Sequence, residues 1–462
     1  MGSLAGLLHA RGVAVSGSDE KLYPPMSTQL ERWGIPVREG FRAEHVAEAQ
    51  PDLVVIGNVV RKDNAEARAA LDGGYRCLSF SDALYDLAIA GRHSVVVTGT
   101  HGKTTTTALL ATILVECGRD PGVLVAGVAE NLDGSFRIGE GAEFVVEGDE
   151  YDTAFFDKTP KFLHYRPDTA ILTSVEFDHA DIYRDLDHVK QAFRLLTGSM
   201  PADGLLIAAT GGAHVADVVR GAGCALEGYA VEGETADARW WARNLVASGD
   251  GTHFSVHRDG EAVAEARLAL WGRHNVANAL AAVAAACARG VAPAAAASAL
   301  ARFRGVQRRQ QVRGEAGGVT LVDDFAHHPT AVRETLAAMR QRYPGRRIWA
   351  LFEPRTNTSR RRIFQNEYAE ALAAADRVVL ARVPDAPIYS ITGEVTERLD
   401  VAALAAEVTA RGIPAHALEG ADAIAAHVAA EAQPGDVVVT MSNGDFGGIW
   451  PKLLAELTGQ SH

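Results

Sequence analysis

The sequence has little of what marks secreted, membrane-spanning or nucleic-acid-binding proteins. Only 4 of its 462 residues are cysteine, with no C-x-x-C pair, which excludes a disulfide framework and a zinc knuckle. No apolar run approaches the roughly 20 residues that span a membrane, and the opening MGSLAGLLHARG lacks the apolar region of a signal peptide. The formal net charge of -13 argues against a broad nucleic-acid surface. We expect a cytoplasmic protein without membrane insertion and without a nucleic-acid partner.

The chain is longer than one hydrophobic core usually organises. Strand patterns alternate with helix patterns along most of it, which predicts an α/β protein of three domains. These are a Rossmann-like N-terminal domain (1–91), a central P-loop ATPase-like domain with a parallel sheet (92–312), and a Rossmann-like C-terminal domain (313–462). The second boundary is placed near residues 311–318, QVRGEAGG, where the pattern breaks before a strand.

The N-terminal domain opens inside a helix, at residues 3–9. A predicted strand at 13–15 then leads to Ser18 and Asp19, and a strand that ends in this way is a common place for a nucleotide ribose. A doubly wound sheet normally begins with a strand and a Gly-rich turn before its first helix. Both are missing from the pattern, so we expect a domain that lacks its first strand.

Residues 93–107, HSVVVTGTHGKTTTT, join a buried-strand pattern to a tight turn and a helix start. Gly99 and Gly102 permit the turn, and Lys103 and Thr104 open the helix. The backbone N–H groups, the lysine charge and the hydroxyl together predict a nucleotide-phosphate site, with Lys103 facing solvent when the site is empty. The spacing is two residues shorter than the general P-loop, so a Gly-rich turn without a ligand remains the alternative.

Acidic residues follow two further strands of the central domain, at Glu147 and at Asp178 with its neighbour His179. Open parallel sheets place ligands at the carboxyl ends of their strands, the edge that carries the phosphate loop. Mg²⁺ prefers oxygen ligands, so Glu147 facing Thr104 predicts a magnesium site, with His179 at a second one. For any single acid, a helix cap or a surface charge is the alternative.

Two polar segments follow in the second half of the chain. Asn275 and Asn278 lie on one helix face, so that one can face a ligand while the other caps or packs. Farther on, His327 and His328 follow a strand. Paired histidines suggest a metal, but neighbouring residues rarely ligate together, which favours a helix start.

Taken together, these motifs resemble the Mur ligase family, the ATP-dependent amide-forming enzymes of peptidoglycan synthesis. The matches cover nearly the whole chain in the family's order: TGTHGKTTT, EGDEYD, EFDHADIY, GRHNVANAL, VQRRQQ and DDFAHHPT. Other segments are similar to those of family members that attach a ready-made tripeptide rather than L-alanine: YPPMSTQL, DEYDTAFFDKTPKF, EPRTNT and MSNGDFGGI.

The resemblance implies a ligase that joins UDP-N-acetylmuramate to L-alanyl-γ-D-glutamyl-meso-diaminopimelate in peptidoglycan recycling, using ATP and Mg²⁺. The implied catalytic residues are Lys103, Glu147 and His179, and the implied metal ligands are Thr104, Glu147 and His179. The implied nucleotide contacts are Gly99, Thr100, His101, Gly102, Lys103, Thr104, Thr105, Asn275 (adenine), Arg309 (phosphate) and Asp324 (ribose). The implied substrate contacts are Ser18, Asp19, Asn58, Tyr151, His328, Arg355, Asn357, Ser442, Asn443 and Gly444. Addition of L-alanine, or a catalytically inactive nucleotide-binding homologue, are the alternatives.

The sequence departs from the family pattern in two places. In several relatives a carbamylated lysine supports the second Mg²⁺, and Arg194 aligns with it; an arginine cannot be carbamylated. The family's first strand and its Gly-rich turn for the sugar-nucleotide pyrophosphate are also missing, so either the start is assigned too late or UDP-sugar binding is impaired. The oligomeric state is open between a monomer and a weak dimer.

Overall fold

The computed structural model describes residues 1–22, 26–132, 134–390 and 393–459. Within them the chain folds into three α/β domains, which confirms the expected fold class. Tyr23, Pro24 and Pro25 of the YPPMSTQL segment lie outside the described residues. None of the helices in this part of the chain is long and apolar enough to cross a membrane.

The N-terminal domain has short strands in two separate parallel pairs, β1 with β2 and β3 with β4. Its elements are α1 (Gly2–Ala10), β1 (Gly17–Asp19), α2 (Met26–Arg32), β2 (Val37–Glu39), α3 (Ala43–Ala49), β3 (Val54–Ile56), α4 (Ala65–Asp72), β4 (Cys77–Ser79) and α5 (Phe80–Leu84). The strand predicted at 13–15 is misplaced, because pairing with β2 starts only at Gly17. A π-helical turn, Tyr85–Ile89, continues directly from α5.

The central domain carries a ten-stranded sheet in the order β16-β15-β14-β13-β12-β11-β5-β8-β6-β7. Its elements are β5 (His93–Thr98), α6 (Lys103–Glu116), β6 (Gly122–Ala129), β7 (Gly134–Arg137), β8 (Glu143–Gly148), β9 (Asp152–Ala154), β10 (Asp157–Pro160), α7 (Lys161–His164), β11 (Thr169–Leu172), α8 (Leu186–Ser199), β12 (Leu205–Ala209), α9 (Ala213–Val219), β13 (Ala225–Val231), β14 (Trp240–Ser248), β15 (Gly251–Arg258), β16 (Glu261–Leu268), α10 (Arg273–Ala288) and α11 (Pro293–Leu300). The strands β14 to β16 pair antiparallel at one edge of this sheet. The Ala-rich α10 packs against α6 in the buried core on one face of this sheet.

The C-terminal domain has a six-stranded sheet in the order β17-β18-β24-β19-β20-β23. Its elements are β17 (Gln311–Ala316), β18 (Val319–Asp324), α12 (Pro329–Arg342), β19 (Ile348–Phe352), α13 (Gln365–Leu372), β20 (Arg377–Ala381), β21 (Tyr389–Ser390), β22 (Gly393–Glu394), α14 (Val401–Ala410), β23 (Ala415–Leu418), α15 (Gly420–Glu431), β24 (Val437–Met441) and α16 (Ile449–Gly459). The segment at 311–318 is not a break in the pattern. Its first six residues form β17, which pairs antiparallel with β18 through a two-residue turn at Gly317 and Gly318. The domain ranges 1–91, 92–312 and 313–462 remain predictions.

The central sheet gathers the chemistry-bearing loops at one edge. β5 lies between β8 and β11, and both neighbours run parallel to it. The register pairs Val97 with Glu147 and Thr98 with Leu172, so all three strands end side by side. Parallel strands therefore bring the loop after β5, the acidic end of β8 and the loop after β11 into contact.

Candidate active site

The loop between β5 and α6 is a backbone cradle at a helix N-terminus. Gly99 has a φ of 126° and Gly102 a φ of 82°, which side-chain-bearing residues rarely adopt. A Cβ on Gly99 would collide with the hydroxyl of Thr173, and one on Gly102 would collide with the amide of Asn278. Both glycines are therefore required for close packing as well as for the turn. The N-terminus of α6 supplies the positive end of a helix of 14 residues to this cradle.

Lys103 does not face solvent, so that expectation is wrong. Its side chain is only 12% exposed, and its Nζ donates to Glu150 Oε2 at 2.8 Å and to the carbonyl of Gly99 at 2.7 Å. Burial opposes the lysine charge most strongly, but Glu150, Asp149 and Glu147 together raise the pKa of Lys103 above its ordinary value. The lysine is thus held as a cation at the base of the cradle.

Thr104 and Glu147 meet as the strand order predicts. Thr104 Oγ1 donates to Glu147 Oε2 at 3.0 Å, and the N–H of Ala126 donates to Glu147 Oε1 at 2.7 Å. Burial, reinforced by the charge of Asp149, raises the pKa of Glu147 to about 7 despite these hydrogen bonds. A buried carboxylate beside a hydroxyl, with its charge poorly compensated, fits a hard divalent cation with oxygen ligands. The guanidinium of Arg309 lies over the same point, 3.5 Å from Thr104 Oγ1.

His179 lies across Glu150 from the lysine. Its Nε2 is 3.6 Å from Glu150 Oε1, and its ring is 4.7 Å from the ring of Tyr151 between centroids. The residue has a φ of 50°, which is uncommon for a side chain of this size. The carboxylate of Asp178 accepts its backbone N–H at 2.7 Å. The loop after β11 is thus wound so that the imidazole turns toward the acidic end of β8.

A lysine that the sequence pattern did not single out lies beside these groups. Lys161 begins α7, is about one-tenth exposed, and its Nζ donates to Asp149 Oδ2 at 3.1 Å. The same Nζ is 4.5 Å from the centre of the Tyr151 ring and 5.9 Å from that of Phe80 in the N-terminal domain. No spacing rule marks a lysine in a strand-to-helix turn, so only the fold shows that it is near the site.

The phosphate loop also touches the C-terminal domain. His101 Nε2 lies 3.5 Å from Glu176 Oε2, and His328 Nδ1 lies 3.7 Å from the same oxygen. Thr330 Oγ1 donates to that oxygen at 2.6 Å. Thr100 Oγ1 in turn accepts the N–H of Glu176 at 2.9 Å. His328 is the N-cap of α12, which confirms the helix start expected for the histidine pair.

The remaining expected nucleotide contacts are Asn275, Asp324 and Thr105. Asn278 is the amide that touches the cradle, at Gly102, whereas Asn275 is buried and donates to the carbonyl of Trp271 at 2.8 Å. Asp324 is buried, and its carboxylate accepts the N–H groups of Gln310 and Ala326, both at 2.8 Å. The adenine role of Asn275 and the ribose role of Asp324 therefore stay predictions. Thr105 is buried in the first turn of α6.

The expected substrate residues of the N-terminal domain lie near the end of β1 and beyond β3. Ser18 Oγ donates to Glu66 Oε1 at 2.9 Å and is 3.3 Å from His45 Nδ1. Asp19 is exposed. Asn58 lines an open cleft of about 460 Å³, together with Lys62 of the same domain and Phe155 and Lys158 of the central domain.

The expected substrate residues of the C-terminal domain form two groups. Arg355 lies over Gly444, where any side chain would collide with its guanidinium, and it pairs with Asp445 at 3.1 Å. Ser442 donates to Glu353 and accepts the N–H of Gly444. Asn357 Oδ1 accepts a hydrogen bond from Arg360 at 3.0 Å. Asn443 Oδ1 is buried and has no hydrogen-bond partner among the described residues.

Arg194, the aligned counterpart of a carbamylated lysine, points elsewhere. It lies on α8, is 47% exposed, and its guanidinium pairs with Asp217 of α9 at 2.9 Å. Lys190 pairs with the same carboxylate at 3.2 Å. Arg194 thus contributes to the packing of two helices.

A cradle for phosphate, a held lysine and a carboxylate facing a hydroxyl define a nucleotide-dependent enzyme of three α/β domains. Three domain models match the chain: the Mur ligase family catalytic domain at 1–92, the Mur ligase middle domain at 97–286, and the Mur ligase glutamate ligase domain at 308–444. The chain belongs to the Mur ligase family. Members of this family are ATP-dependent ligases, so the expected family and enzyme class are confirmed.

Individual relatives match along nearly their whole length. The UDP-N-acetylmuramate–L-alanyl-gamma-D-glutamyl-meso-2,6-diaminoheptandioate ligase of Escherichia coli is 43% identical over 98% of this chain and 95% of the relative. A crystal structure of a murein peptide ligase from Psychrobacter arcticus matches with a TM-score of 0.72 and 35% identity, covering 99% of this chain and 96% of that one. The UDP-N-acetylmuramate–L-alanine ligase of Kineococcus radiotolerans is 38% identical over 98% of this chain and 93% of the relative.

Proposed function

We propose that this protein is an ATP-dependent ligase that joins the carboxylate of UDP-N-acetylmuramate to the amine of L-alanyl-γ-D-glutamyl-meso-diaminopimelate. The observation that carries the proposal is the site at the end of β5, where Lys103, Thr104 and Glu147 converge between the two outer domains. The likeness to the Escherichia coli ligase, at 43% identity over nearly the whole chain, supports this choice of substrates. We also propose that the protein acts in the cytoplasm, where ATP and nucleotide-linked precursors are found.

The chemistry follows from the weakness of a carboxylate as an electrophile. Transfer of the terminal phosphoryl group of ATP to that carboxylate gives an acyl phosphate and ADP. The peptide amine then attacks the carbonyl carbon, the C–N bond forms, phosphate leaves and the amine loses a proton. Phosphoryl transfer mainly needs positioning and neutralisation of charge, which Lys103 and Arg309 supply at the cradle.

Thr104, Glu147 and His179 would hold Mg²⁺. A bound Mg²⁺ would offset part of the negative charge of the phosphates during phosphoryl transfer. Glu147 would face the ion from β8 and Thr104 from α6, while His179 lies in the loop after β11, 3.6 Å from Glu150 Oε1. Glu150 keeps Lys103 in place until a phosphate competes for the lysine.

The outer domains would bind the two substrates. Ser18, Asp19 and Asn58 face the sugar nucleotide from the N-terminal domain. The groups around Arg355 and Ser442 face the peptide, whose carboxylates require cations and hydrogen-bond donors. The exposed guanidinium of Arg355, supported by Gly444, is suited to a bidentate contact with one of these carboxylates.

A substrate panel tests the proposal. Phosphate release and amide formation should require ATP, UDP-N-acetylmuramate and the tripeptide together. If free L-alanine supports a higher kcat/KM than the tripeptide, the protein is an alanine-adding ligase, the activity named for the Kineococcus relative. ATP binding without product from any acceptor would mark an inactive nucleotide-binding homologue. Light scattering of the same sample would decide between a monomer and a weak dimer.

Lys161 gives a prediction about the carboxylate substrate. Its cation lies between Phe80 of the N-terminal domain and the Tyr151 ring, on the route from the sugar-nucleotide domain to the cradle. We expect Lys161→Met to raise the KM for UDP-N-acetylmuramate by about 10- to 100-fold, because a hydrogen bond to a charged group contributes about 1.5–3 kcal/mol. The KM for ATP should remain within about twofold of the wild-type value. Steady-state kinetics with each substrate varied in turn measures both.

Lys190 provides a matched control for this variant. Its side chain is 13% exposed and pairs with Asp217 at 3.2 Å, close to the 11% and 3.1 Å of the pair between Lys161 and Asp149. Both Lys→Met changes remove a largely buried lysine from an ion pair, so both should lower the melting temperature. Only Lys161→Met should alter the KM for UDP-N-acetylmuramate. If the two variants have equal kinetic constants, Lys161 is not part of the substrate site.

A further inference from the structure

Two imidazoles and a carboxylate converge where the central and C-terminal domains touch. His101 comes from the phosphate loop, Glu176 from the loop after β11, and His328 from the N-cap of α12. One ligand atom from each lies within 4.8 Å of the other two. These residues are separate from Thr104, Glu147 and His179, the residues proposed for magnesium.

We propose that His101, Glu176 and His328 form a binding site for a transition-metal dication of the zinc class, which would fix the C-terminal domain against the phosphate loop. The site goes beyond ligase activity, since binding requires neither ATP nor a peptide.

The distances suit a tetrahedral ion. Ligands at about 2.05 Å from a tetrahedral metal lie about 3.4 Å from one another. His101 Nε2 is 3.5 Å and His328 Nδ1 is 3.7 Å from Glu176 Oε2. The two histidine nitrogens lie within 4.8 Å of each other, so drawing them together would bring three ligands onto one ion, with a fourth position left for water.

Each histidine directs the lone pair of one ring nitrogen toward this point. His328 donates its Nε2–H to the carbonyl of Phe177 at 3.2 Å, which leaves Nδ1 as the acceptor nitrogen that faces Glu176. A backbone carbonyl on the far ring nitrogen is the usual support of a metal-bound histidine. The Nε2 atom of His101 is buried and has no hydrogen-bond partner among the described residues. The position of the loop is fixed, because the N–H of His101 donates to Ser174 Oγ at 2.9 Å.

The charge states also suit a cation. Burial raises the pKa of Glu176, but the neighbouring His101, Thr330 and His328 outweigh it and lower that pKa to about 2. Burial, together with the charge of His101, lowers the pKa of His328 to about 4. At neutral pH the cluster therefore holds a carboxylate and a neutral imidazole, and metal binding there would release no proton from either.

Binding has one identifiable cost. The N–H of Thr330 donates to His328 Nδ1 at 3.3 Å as the helix cap, and the metal would displace this weak hydrogen bond. Thr330 Oγ1 can remain on Glu176 Oε2, since a carboxylate oxygen accepts more than one partner. Two nitrogen ligands favour Zn²⁺, Co²⁺ or Ni²⁺ over Mg²⁺, which prefers oxygen.

Zn²⁺ titration of the full chain, after chelator treatment and in millimolar Mg²⁺ without nucleotide, tests the site. We expect Zn²⁺ to bind and to raise the melting temperature, and Co²⁺ in its place to give the visible absorption of a nitrogen-ligated tetrahedral ion. His328→Asn should weaken Zn²⁺ binding at least about 100-fold, because it removes a ligand. Asparagine keeps the cap of α12, so the variant is expected to fold. Glu176→Gln is the second variant, with the same expected loss.

A second cluster in the chain supplies the control. His416, His427 and Glu431 contain the same ligand types but all lie within the C-terminal domain. The double variant His416→Ala with His427→Ala should keep the Zn²⁺-dependent rise in melting temperature. The proposal is overturned if that double variant alone loses it, or if His328→Asn and Glu176→Gln both bind Zn²⁺ within threefold of the wild type. Because binding is measured without substrates, failure of the proposed ligase activity would leave the binding result readable.

Discussion

Replacing Lys103 by methionine is expected to lower kcat at least about 10³-fold. The ammonium lies at the base of the phosphate cradle and is held there by Glu150 and the carbonyl of Gly99. Loss of a charge that stabilises a transferring phosphoryl group typically costs about 10²–10⁵ in rate. Single-turnover phosphate release with all substrates saturating measures the effect without the influence of KM.

This variant will also be less stable, because Lys103 is not a surface residue. Glu150 is 2% exposed and would lose its nearest cation, leaving His179 at 3.6 Å. Breaking a buried pair on one side costs about 3 kcal/mol or more. The double variant Lys103→Met with Glu150→Gln removes both charges and should recover most of the stability without recovering turnover. Near-normal turnover in this folded double variant would exclude the catalytic role of Lys103.

Replacing Glu147 by glutamine is expected to lower turnover and to raise the stability of the ligand-free protein at the same time. Turnover should fall by about 10³-fold, since a metal at such a site contributes several kcal/mol to the transition state. The pKa of Glu147 is raised from 4.5 to about 7, at a cost of about 3 kcal/mol once the group is ionised in the folded state. Glutamine can keep the hydrogen bond from Ala126 and carries no charge.

The sign of the pH dependence follows from the raised pKa. Below about pH 4.5 the carboxyl is protonated in both the folded and unfolded states, and the two proteins should differ little. Between pH 4.5 and 7 the unfolded state ionises first, so the wild type loses stability that the variant retains. The melting temperature of Glu147→Gln should therefore exceed that of the wild type at pH 8, and the gap should close toward pH 5. Added Mg²⁺ should stabilise the wild type only.

Glu143 is the control at the other end of the same strand. It is 1% exposed but pairs with Arg119 at 2.5 Å and with Arg289 at 3.4 Å. Its charge is compensated, so Glu143→Gln should lower the melting temperature at pH 8 and leave turnover of the folded fraction close to normal. If both glutamine variants change stability in the same direction, the account of Glu147 as an uncompensated acid is wrong.

The features best predicted from the sequence are those whose residues are contiguous along the chain. The strand, the two glycines, Lys103 and Thr104 are contiguous, and hydrophobic periodicity changes at that point from a strand pattern to a helix pattern. The facing of Thr104 and Glu147 was also predictable, because neighbouring parallel strands end at one edge. The domain boundary was harder to predict. Gly314 within β17 and the two glycines that follow this strand resemble a linker, yet β17 pairs with β18.

The sequence did not predict contacts between residues of different domains or different loops. Lys161 follows a strand in a polar segment, and nothing in its spacing relates it to Asp149 or Phe80. The expectation of a solvent-facing Lys103 failed for the same reason, because its partner, Glu150, comes from another strand end.

By itself the sequence determined the family, the phosphate loop and the acidic strand ends, since each depends on residue types at short, fixed spacings. Only the tertiary structure decided which charges are paired: Glu150 with Lys103, Asp149 with Lys161, and Glu147 with a hydroxyl instead of a cation. It also decided that His101, Glu176 and His328 meet. The physical reason is that the energy of a charge depends on its burial and on neighbours from distant parts of the chain, which spacing along the sequence does not encode.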